Sequence, residues 1–129
     1  GDGDFLMGAT AIWSAVHYGL PMIVFIANNR SFYNDEVHQE RVAKMRDRPV
    51  ENKWIGQQIA APDIDLAMLA RAQGATGFGP VRDIADLREV IPLAIEAYGR
   101  DETVIIDVRV EPGYDSGMSN ALVKPVERK

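Results

Sequence analysis

Two short polar segments carry residue types that could bind a metal ion and a phosphate group. Residues 1–4 read Gly-Asp-Gly-Asp, and the glycines beside Asp2 let the backbone turn tightly and approach a ligand closely. A helix is expected to begin near Phe5, and the amino end of a helix favours an anion. Asp2 offers a carboxylate, Asn29 a neutral carbonyl oxygen, and the loop after Asn29 a backbone carbonyl. Because Mg²⁺ commonly takes one or two protein carboxylates together with phosphate oxygens and water, these groups predict a Mg²⁺–diphosphate clamp.

The elements between these segments are expected to bring them to one end of a sheet. Residues 5–18 carry apolar side chains at three-to-four spacing, which predicts one helix that ends at Gly19. Residues 22–27 are a continuous, partly β-branched apolar run, which is typical of a strand buried in a parallel sheet. Asn28 and Asn29 follow at the carboxyl end of that strand, where ligands bind in such sheets.

The remaining elements alternate between strands and helices. Residues 30–62 form a long polar excursion with helical character only near residues 36–45, and long excursions are often functional. Asp65 and Asp83 are expected to cap two further helices. Residues 76–78 and 103–110 predict two more strands, a short one and a strong one. We therefore predict an α/β fold with three layers, in which helices cover both faces of a mostly parallel sheet.

The chain opens directly on the Gly-Asp-Gly motif, without Met and without the layout of a signal peptide. We expect the fold to be truncated at its N-terminus, with a strand ending just before Gly1 and further N-terminal domains of the same chain lying upstream. The expected domain spans residues 1–111 and is followed by a tail of residues 112–129.

Composition excludes several functional classes. A net charge of −5 and a pI near 5.0 offer no basic surface to nucleic acid or to an anionic membrane. The absence of cysteine excludes a disulfide framework, a thiolate nucleophile and a cysteine zinc site, and it fits a cytoplasmic location. The longest apolar run, residues 20–27, is too short to span a bilayer.

Taken alone, Gly-Asp-Gly is more often a plain turn, and Asn-Asn after a strand is ordinarily a loop start. The joint order is more specific: Gly-Asp-Gly, a helix, Leu-Pro, an apolar strand and Asn-Asn, with 24 residues between Gly3 and Asn28. This order closely resembles the pyrophosphate-binding motif of thiamine-diphosphate-dependent enzymes. Within them the chain is most similar to the group of acetolactate synthase, benzaldehyde lyase and the 2-oxoacid decarboxylases, and the resemblance covers roughly residues 1–111.

The resemblance implies a C-terminal pyrophosphate-binding domain whose cofactors are thiamine diphosphate and Mg²⁺. The implied metal ligands are the side chains of Asp2 and Asn29 and the backbone carbonyl of Ser31. The residues implied to bind the cofactor are Gly1, Asp2, Gly3, Asp4, Phe5, Asn29 and Ser31. Asp4 departs from the family, which usually has Ser or Ala there, and it adds a negative charge near the diphosphate. The segment after Asn29 also differs from that of acetolactate synthases.

The resemblance further implies an enzyme that makes or breaks carbon–carbon bonds of 2-oxoacids or related carbonyl compounds, as a lyase, carboligase or decarboxylase. Its substrate would be a small carbonyl compound, and the full-length protein would form a homodimer or homotetramer. In the family, the glutamate that activates the cofactor lies on a separate pyrimidine-binding domain. No catalytic residue is therefore assigned here, and this chain alone is expected to be inactive.

Two other functional classes stay open. One is a noncatalytic interaction module with a degenerate cofactor fold, which Asp4 favours. The other is a Mg²⁺-dependent phosphoryl-transfer or receiver-type α/β domain, which would need a second acidic cluster and a lysine at the end of a strand. Among the other polar residues, His38 lies where substrate-facing groups could sit, whereas His17, Asp35 and Glu36 are expected to be structural or solvated.

Overall fold

A three-stranded parallel sheet forms the centre of the chain, in a computed structural model that describes residues 1–113. Its strands are β1 (Met22–Asn28), β2 (Thr76–Val81) and β3 (Thr103–Arg109), in the spatial order β1-β3-β2. Since all three run in the same direction, their carboxyl ends meet at one edge, where Asn28 pairs with Arg109. Apart from residues 112 and 113, the expected tail lies outside the described residues.

Helices cover both faces of the sheet, so the predicted three-layer α/β architecture is confirmed. They are α1 (Asp2–Gly8), α2 (Ala11–His17), α3 (Tyr33–Met45), α4 (Leu66–Arg71) and α5 (Ile84–Tyr98). On one face, Ile12 of α2 and Leu66 of α4 pack with Ile105 of β3, and on the other, Ala94 of α5 packs with Ile106. The central strand β3 is buried from both sides, because its successive side chains point to opposite faces. Within residues 1–113, no helix is long and apolar enough to cross a membrane.

The expectation of one helix over residues 5–18 was wrong. The segment forms two helices, α1 and α2, separated by a turn at Ala9 and Thr10. Gly8 ends the first helix, where its low helix propensity favours a break, and the three-to-four spacing of apolar residues simply continues across the turn. The first helix also begins earlier than expected, at Asp2, so the Gly-Asp-Gly motif forms its first turn. The amide of Phe5 donates to the Gly1 carbonyl at 3.0 Å.

Both expected helix caps are present. The carboxylate of Asp65 accepts a hydrogen bond from the amide of Met68 at 2.7 Å, and that of Asp83 accepts one from the amide of Asp86 at 2.9 Å. Each bond satisfies one of the amides that a helix start leaves unpaired. The polar excursion is more regular than expected, since α3 occupies 13 residues of it.

Candidate functional site

A cavity of about 250 Å³ lies between the start of α1 and the loop that follows β1. It brings together six of the seven residues predicted to bind the cofactor: Gly1, Asp2, Gly3, Asp4, Asn29 and Ser31. Residues 32–35 complete its lining. The seventh residue, Phe5, packs against the apolar core around Ile12 and is not part of the lining.

The side chain of Asp2 is buried although it carries a carboxylate. Only 2% of the residue is exposed, and its Oδ2 atom has no hydrogen-bond partner within residues 1–113. Burying a charge costs free energy unless the charge is paired with an opposite charge, hydrogen-bonded or bound to a metal. The position of this oxygen therefore fits a ligand to a cation.

Side-chain hydrogen bonds shape the loop after β1. The Asn28 Oδ1 atom accepts from the amide of Arg30 at 3.2 Å, and the Asn29 Oδ1 atom accepts from the amide of Ser31 at 3.0 Å. Such bonds from an asparagine to the amide two residues later stabilise tight turns. Arg30 adopts the left-handed conformation, with φ of +60°, which reverses the chain so that Asn29 and Ser31 both line the cavity.

Residues 57–59 hold the other side of this loop. Ser31 pairs with Gln58 in an isolated antiparallel bridge, and the bonds of the bridge run from the Phe32 amide to Gln57 and from Ile59 to the Arg30 carbonyl. Ser31 is thus the non-hydrogen-bonded position, and its own carbonyl stays out of the bridge. Its hydroxyl donates to the carboxylate of Glu36 on α3. The backbone oxygen that the sequence predicts as a metal ligand is not used by the neighbouring segment.

The contact between Gly3 and Phe32 joins the two sides of the cavity. A Cβ atom on Gly3 would lie 2.4 Å from Cε1 of the Phe32 ring, far inside van der Waals contact. Only glycine lets the first turn of α1 approach the loop this closely.

The comparison with protein families agrees with this geometry. Residues 1–108 match the family described as thiamine pyrophosphate enzyme, C-terminal TPP binding domain. The chain belongs to this family. The cofactor of such a domain is thiamine diphosphate, and the predicted cofactor and fold are therefore confirmed. No curated protein and no solved structure matches the chain.

The cavity of this TPP-binding domain has no cationic side chain from the described residues to offset the charge of a diphosphate. Asp2, Asp4 and Asp35 line the cavity, whereas no lysine or arginine of the described chain does. No group of three His, Cys, Asp or Glu residues within residues 1–113 forms a metal site. A cation would therefore rely on one carboxylate, carbonyl oxygens, phosphate oxygens and water, which is the ligand set that Mg²⁺ favours.

The unusual Asp4 points largely into solvent. Its side chain is 82% exposed. Water screens an exposed charge, so the repulsion between Asp4 and a bound diphosphate is weaker than the sequence alone suggests.

Sequence reasoning missed Asp107, which contacts Asn28 next to the loop that lines the cavity. Asp107 is fully buried in β3, and its Oδ1 atom accepts from Asn28 Nδ2 at 2.7 Å. Burial raises the pKa of the Asp107 carboxyl, and the hydrogen bond from Asn28 opposes part of that rise. The sequence signal that could have identified it is an aspartate in an otherwise apolar strand, since a buried charge costs free energy unless a partner compensates it.

The other polar candidates lie outside the cavity or on its rim. His38 lines a neighbouring cavity of about 360 Å³ on α3, which Asp35 also borders. His17 stacks on Trp13 with 4.8 Å between ring centroids, as expected of a structural residue. Glu36 binds the Ser31 hydroxyl, so it supports the loop that carries two predicted metal ligands.

Proposed function

We propose that this chain binds Mg²⁺ and the diphosphate of thiamine diphosphate through the side chains of Asp2 and Asn29 and the carbonyl of Ser31. The observation that carries the proposal is the buried, unpartnered carboxylate oxygen of Asp2, in a cavity that Asn29 and Ser31 also line. Gly1, Gly3 and Asp4 lie beside the diphosphate. Phe5 supports this segment from the core.

The role of these residues is to position the cofactor. Thiamine diphosphate supplies a carbon nucleophile and an electron sink for carbonyl chemistry. Asp2, Asn29 and Ser31 fix its charged end, and Gly3 lets the backbone of α1 lie close to it. The glutamate that would help to remove a proton from the bound cofactor is expected on a pyrimidine-binding domain, outside residues 1–129. The chain alone is therefore inactive.

The reaction we propose makes or breaks a carbon–carbon bond of a 2-oxoacid or related carbonyl compound. The resemblance of roughly residues 1–111 to the acetolactate synthase, benzaldehyde lyase and decarboxylase group supports this class. The enzyme is a lyase, carboligase or decarboxylase, and it is a cytoplasmic homo-oligomer that includes N-terminal domains.

One observation favours a second candidate, a noncatalytic module with the same fold. The cavity is lined by Asp4 and Asp35 in addition to Asp2, and two extra carboxylates oppose an anionic cofactor. A phosphoryl-transfer or receiver-type domain has less support, since it would need a lysine at the end of a strand and the described strands end at Asn28, Val81 and Arg109.

The test is a calorimetric titration of thiamine diphosphate into the complete polypeptide, with Mg²⁺ and with EDTA in its place. Asp2→Ala is compared with Glu89→Gln, which removes one negative charge from the exposed surface of α5. We expect tight binding that needs Mg²⁺, is lost in Asp2→Ala and is unchanged in Glu89→Gln.

Turnover of 2-oxoacids by the loaded protein is then measured. Cofactor binding without any turnover would favour the noncatalytic module. Binding that is indifferent to Mg²⁺, or that survives in Asp2→Ala, would refute the proposed clamp.

A further inference from the structure

Asp107 occupies a buried position, where a carboxylate costs free energy because it loses its hydration. It lies in the central strand β3, opposite Ile26 of β1, and none of its surface is exposed. Its neighbours Ile105 and Ile106 are equally buried. The backbone of Leu66 and the charge of Arg109 also favour its ionised form, but its Oδ2 atom has no hydrogen-bond partner in residues 1–113, and the bond from Asn28 is the one it makes there with a side chain. An apolar residue would suit this position better, unless that bond has a function.

The bond from Asn28 to Asp107 begins a chain of contacts that ends at the proposed metal ligands. Asn28 is 3% exposed, and its amide nitrogen donates to Asp107 while its Oδ1 atom accepts from the Arg30 amide. An amide side chain has its oxygen and nitrogen on opposite sides, so fixing the nitrogen also fixes where the oxygen points. The amide of Arg30, a residue in the left-handed conformation, thereby has an acceptor in a fixed position. Asn29 and Ser31 lie on either side of Arg30 in the chain.

The backbone does not duplicate this support. The Asn28 carbonyl accepts from the amide of Val110 at 3.1 Å, which continues the sheet but leaves the direction of the Asn28 side chain undetermined. The contacts of residues 57–59 hold the far side of the loop, at Arg30 and Phe32. At the end of the loop next to the sheet, the side-chain hydrogen bonds in the described residues are those from Asn28 to Asp107 and from the Arg30 amide to Asn28.

We propose that Asp107 is a positioning residue for the cofactor site: through Asn28 it holds the loop that presents Asn29 and Ser31 to the metal. This inference rests on the proposed function for its consequence, but its structural part, the ordering of the loop, can be measured without any cofactor. Partners that orient a metal ligand from behind commonly account for about 10- to 100-fold in metal affinity.

Three substitutions separate positioning from stability. Asp107→Asn keeps an acceptor oxygen for Asn28, whereas Asp107→Val removes it and suits a buried strand. Val104→Ala is the matched control, since Val104 is fully buried in the same strand and packs against α5, away from the loop. Asp107→Ala, which also lacks an acceptor oxygen, takes the place of Asp107→Val if the valine variant does not fold.

The first readout is amide hydrogen exchange in the complete polypeptide without cofactor. We expect exchange at Arg30 to rise at least tenfold relative to wild type in Asp107→Val, and to stay near the wild-type rate in Asp107→Asn and Val104→Ala. Equal acceleration in Asp107→Val and Val104→Ala would show that Asp107 acts only through overall stability, and would overturn the proposal.

The second readout is Mg²⁺-dependent binding of thiamine diphosphate by calorimetry, with Asp2→Ala measured in parallel. Asp107→Val is expected to weaken binding about tenfold or more, and Asp107→Asn to restore it to within about twofold. If Asp2→Ala abolishes binding and Asp107→Val leaves it intact, the proposed metal site is supported and the positioning role of Asp107 is refuted. If Asp2→Ala also binds normally, the proposed function itself is wrong, and the exchange experiment alone decides the role of Asp107.

Discussion

Replacing Gly3 by alanine tests whether the contact between α1 and the loop is as close as the structure shows. The new Cβ atom would lie 2.4, 2.6 and 2.9 Å from three atoms of the Phe32 ring, Cε1, Cδ1 and Cζ. Non-bonded carbon atoms rest about 3.5–4.0 Å apart, so the ring or the helix start must move by roughly 1 Å. The same movement would displace the loop that carries Ser31.

The expected change in the free energy of unfolding of Gly3→Ala follows from two opposed effects. Forcing an extra methyl group into a packed contact costs about 1–3 kcal/mol. Against this, alanine is favoured over glycine within a helix by about 0.5–1 kcal/mol. Gly8→Ala is the matched control, because Gly8 belongs to the same helix and its new Cβ would meet no atom within 4 Å. The difference between the two variants therefore isolates the clash, and we expect Gly3→Ala to be less stable than Gly8→Ala by about 1–3 kcal/mol.

The assay is urea denaturation of both variants, of Phe32→Ala and of the double variant Gly3→Ala/Phe32→Ala. Removing the ring removes the clash, so Gly3→Ala should cost little or nothing in the Phe32→Ala background. The reasoning is refuted if Gly3→Ala is as stable as Gly8→Ala, or if its cost is the same with and without the Phe32 ring.

Two further predictions concern stability away from the site. Asp65→Ala removes the side chain that accepts from the Met68 amide, and it should lower the free energy of unfolding, measured by urea denaturation, by about 1 kcal/mol. Asp65→Asn keeps an acceptor oxygen and should therefore retain most of the wild-type stability. Equal destabilisation of both variants would contradict a capping role. Hydrogen bonds from Lys44 and Lys53 lower the pKa of Glu40 to about 2. Because the pKa is depressed in the folded state, the stabilisation is fully present above about pH 4.5 and is lost as pH falls towards about 2. Urea midpoints measured across that range should therefore fall less steeply in Glu40→Gln than in wild type, and identical slopes would contradict the predicted coupling.

The sequence predicted best where one local signal decides the structure. The apolar run of β1 and the caps at Asp65 and Asp83 were found because a buried strand and a helix start each have a short, direct signature. The break between α1 and α2 was missed because the spacing of apolar residues continues across it, and spacing alone cannot detect a turn. The start of α1 at Asp2 was missed for a related reason, since glycines weaken every local helix signal.

Within the site, the sequence predicted residue identities but not the contacts that hold them. Asp2, Asn29 and Ser31 were named from a resemblance, and the structure brings all three to one cavity. The contacts of Gly3 with Phe32 and of Asn28 with Asp107 join residues 29 and 79 positions apart in the sequence. Such contacts have no local signature, because they depend on the order of strands in the sheet.

The charges of the cavity bear on the order in which its ligands bind. Asp2, Asp4 and Asp35 line it without a lysine or arginine from the described chain, so a diphosphate entering alone would meet repulsion. A cation entering alone would find one buried carboxylate and neutral carbonyl oxygens, a weak set for Mg²⁺, which retains its water strongly. Each ligand removes the obstacle to the other, since the diphosphate supplies the missing oxygens and the metal neutralises the carboxylates. The cavity is therefore suited to bind Mg²⁺ and diphosphate as a pair, and the affinity for either should depend steeply on the presence of the other.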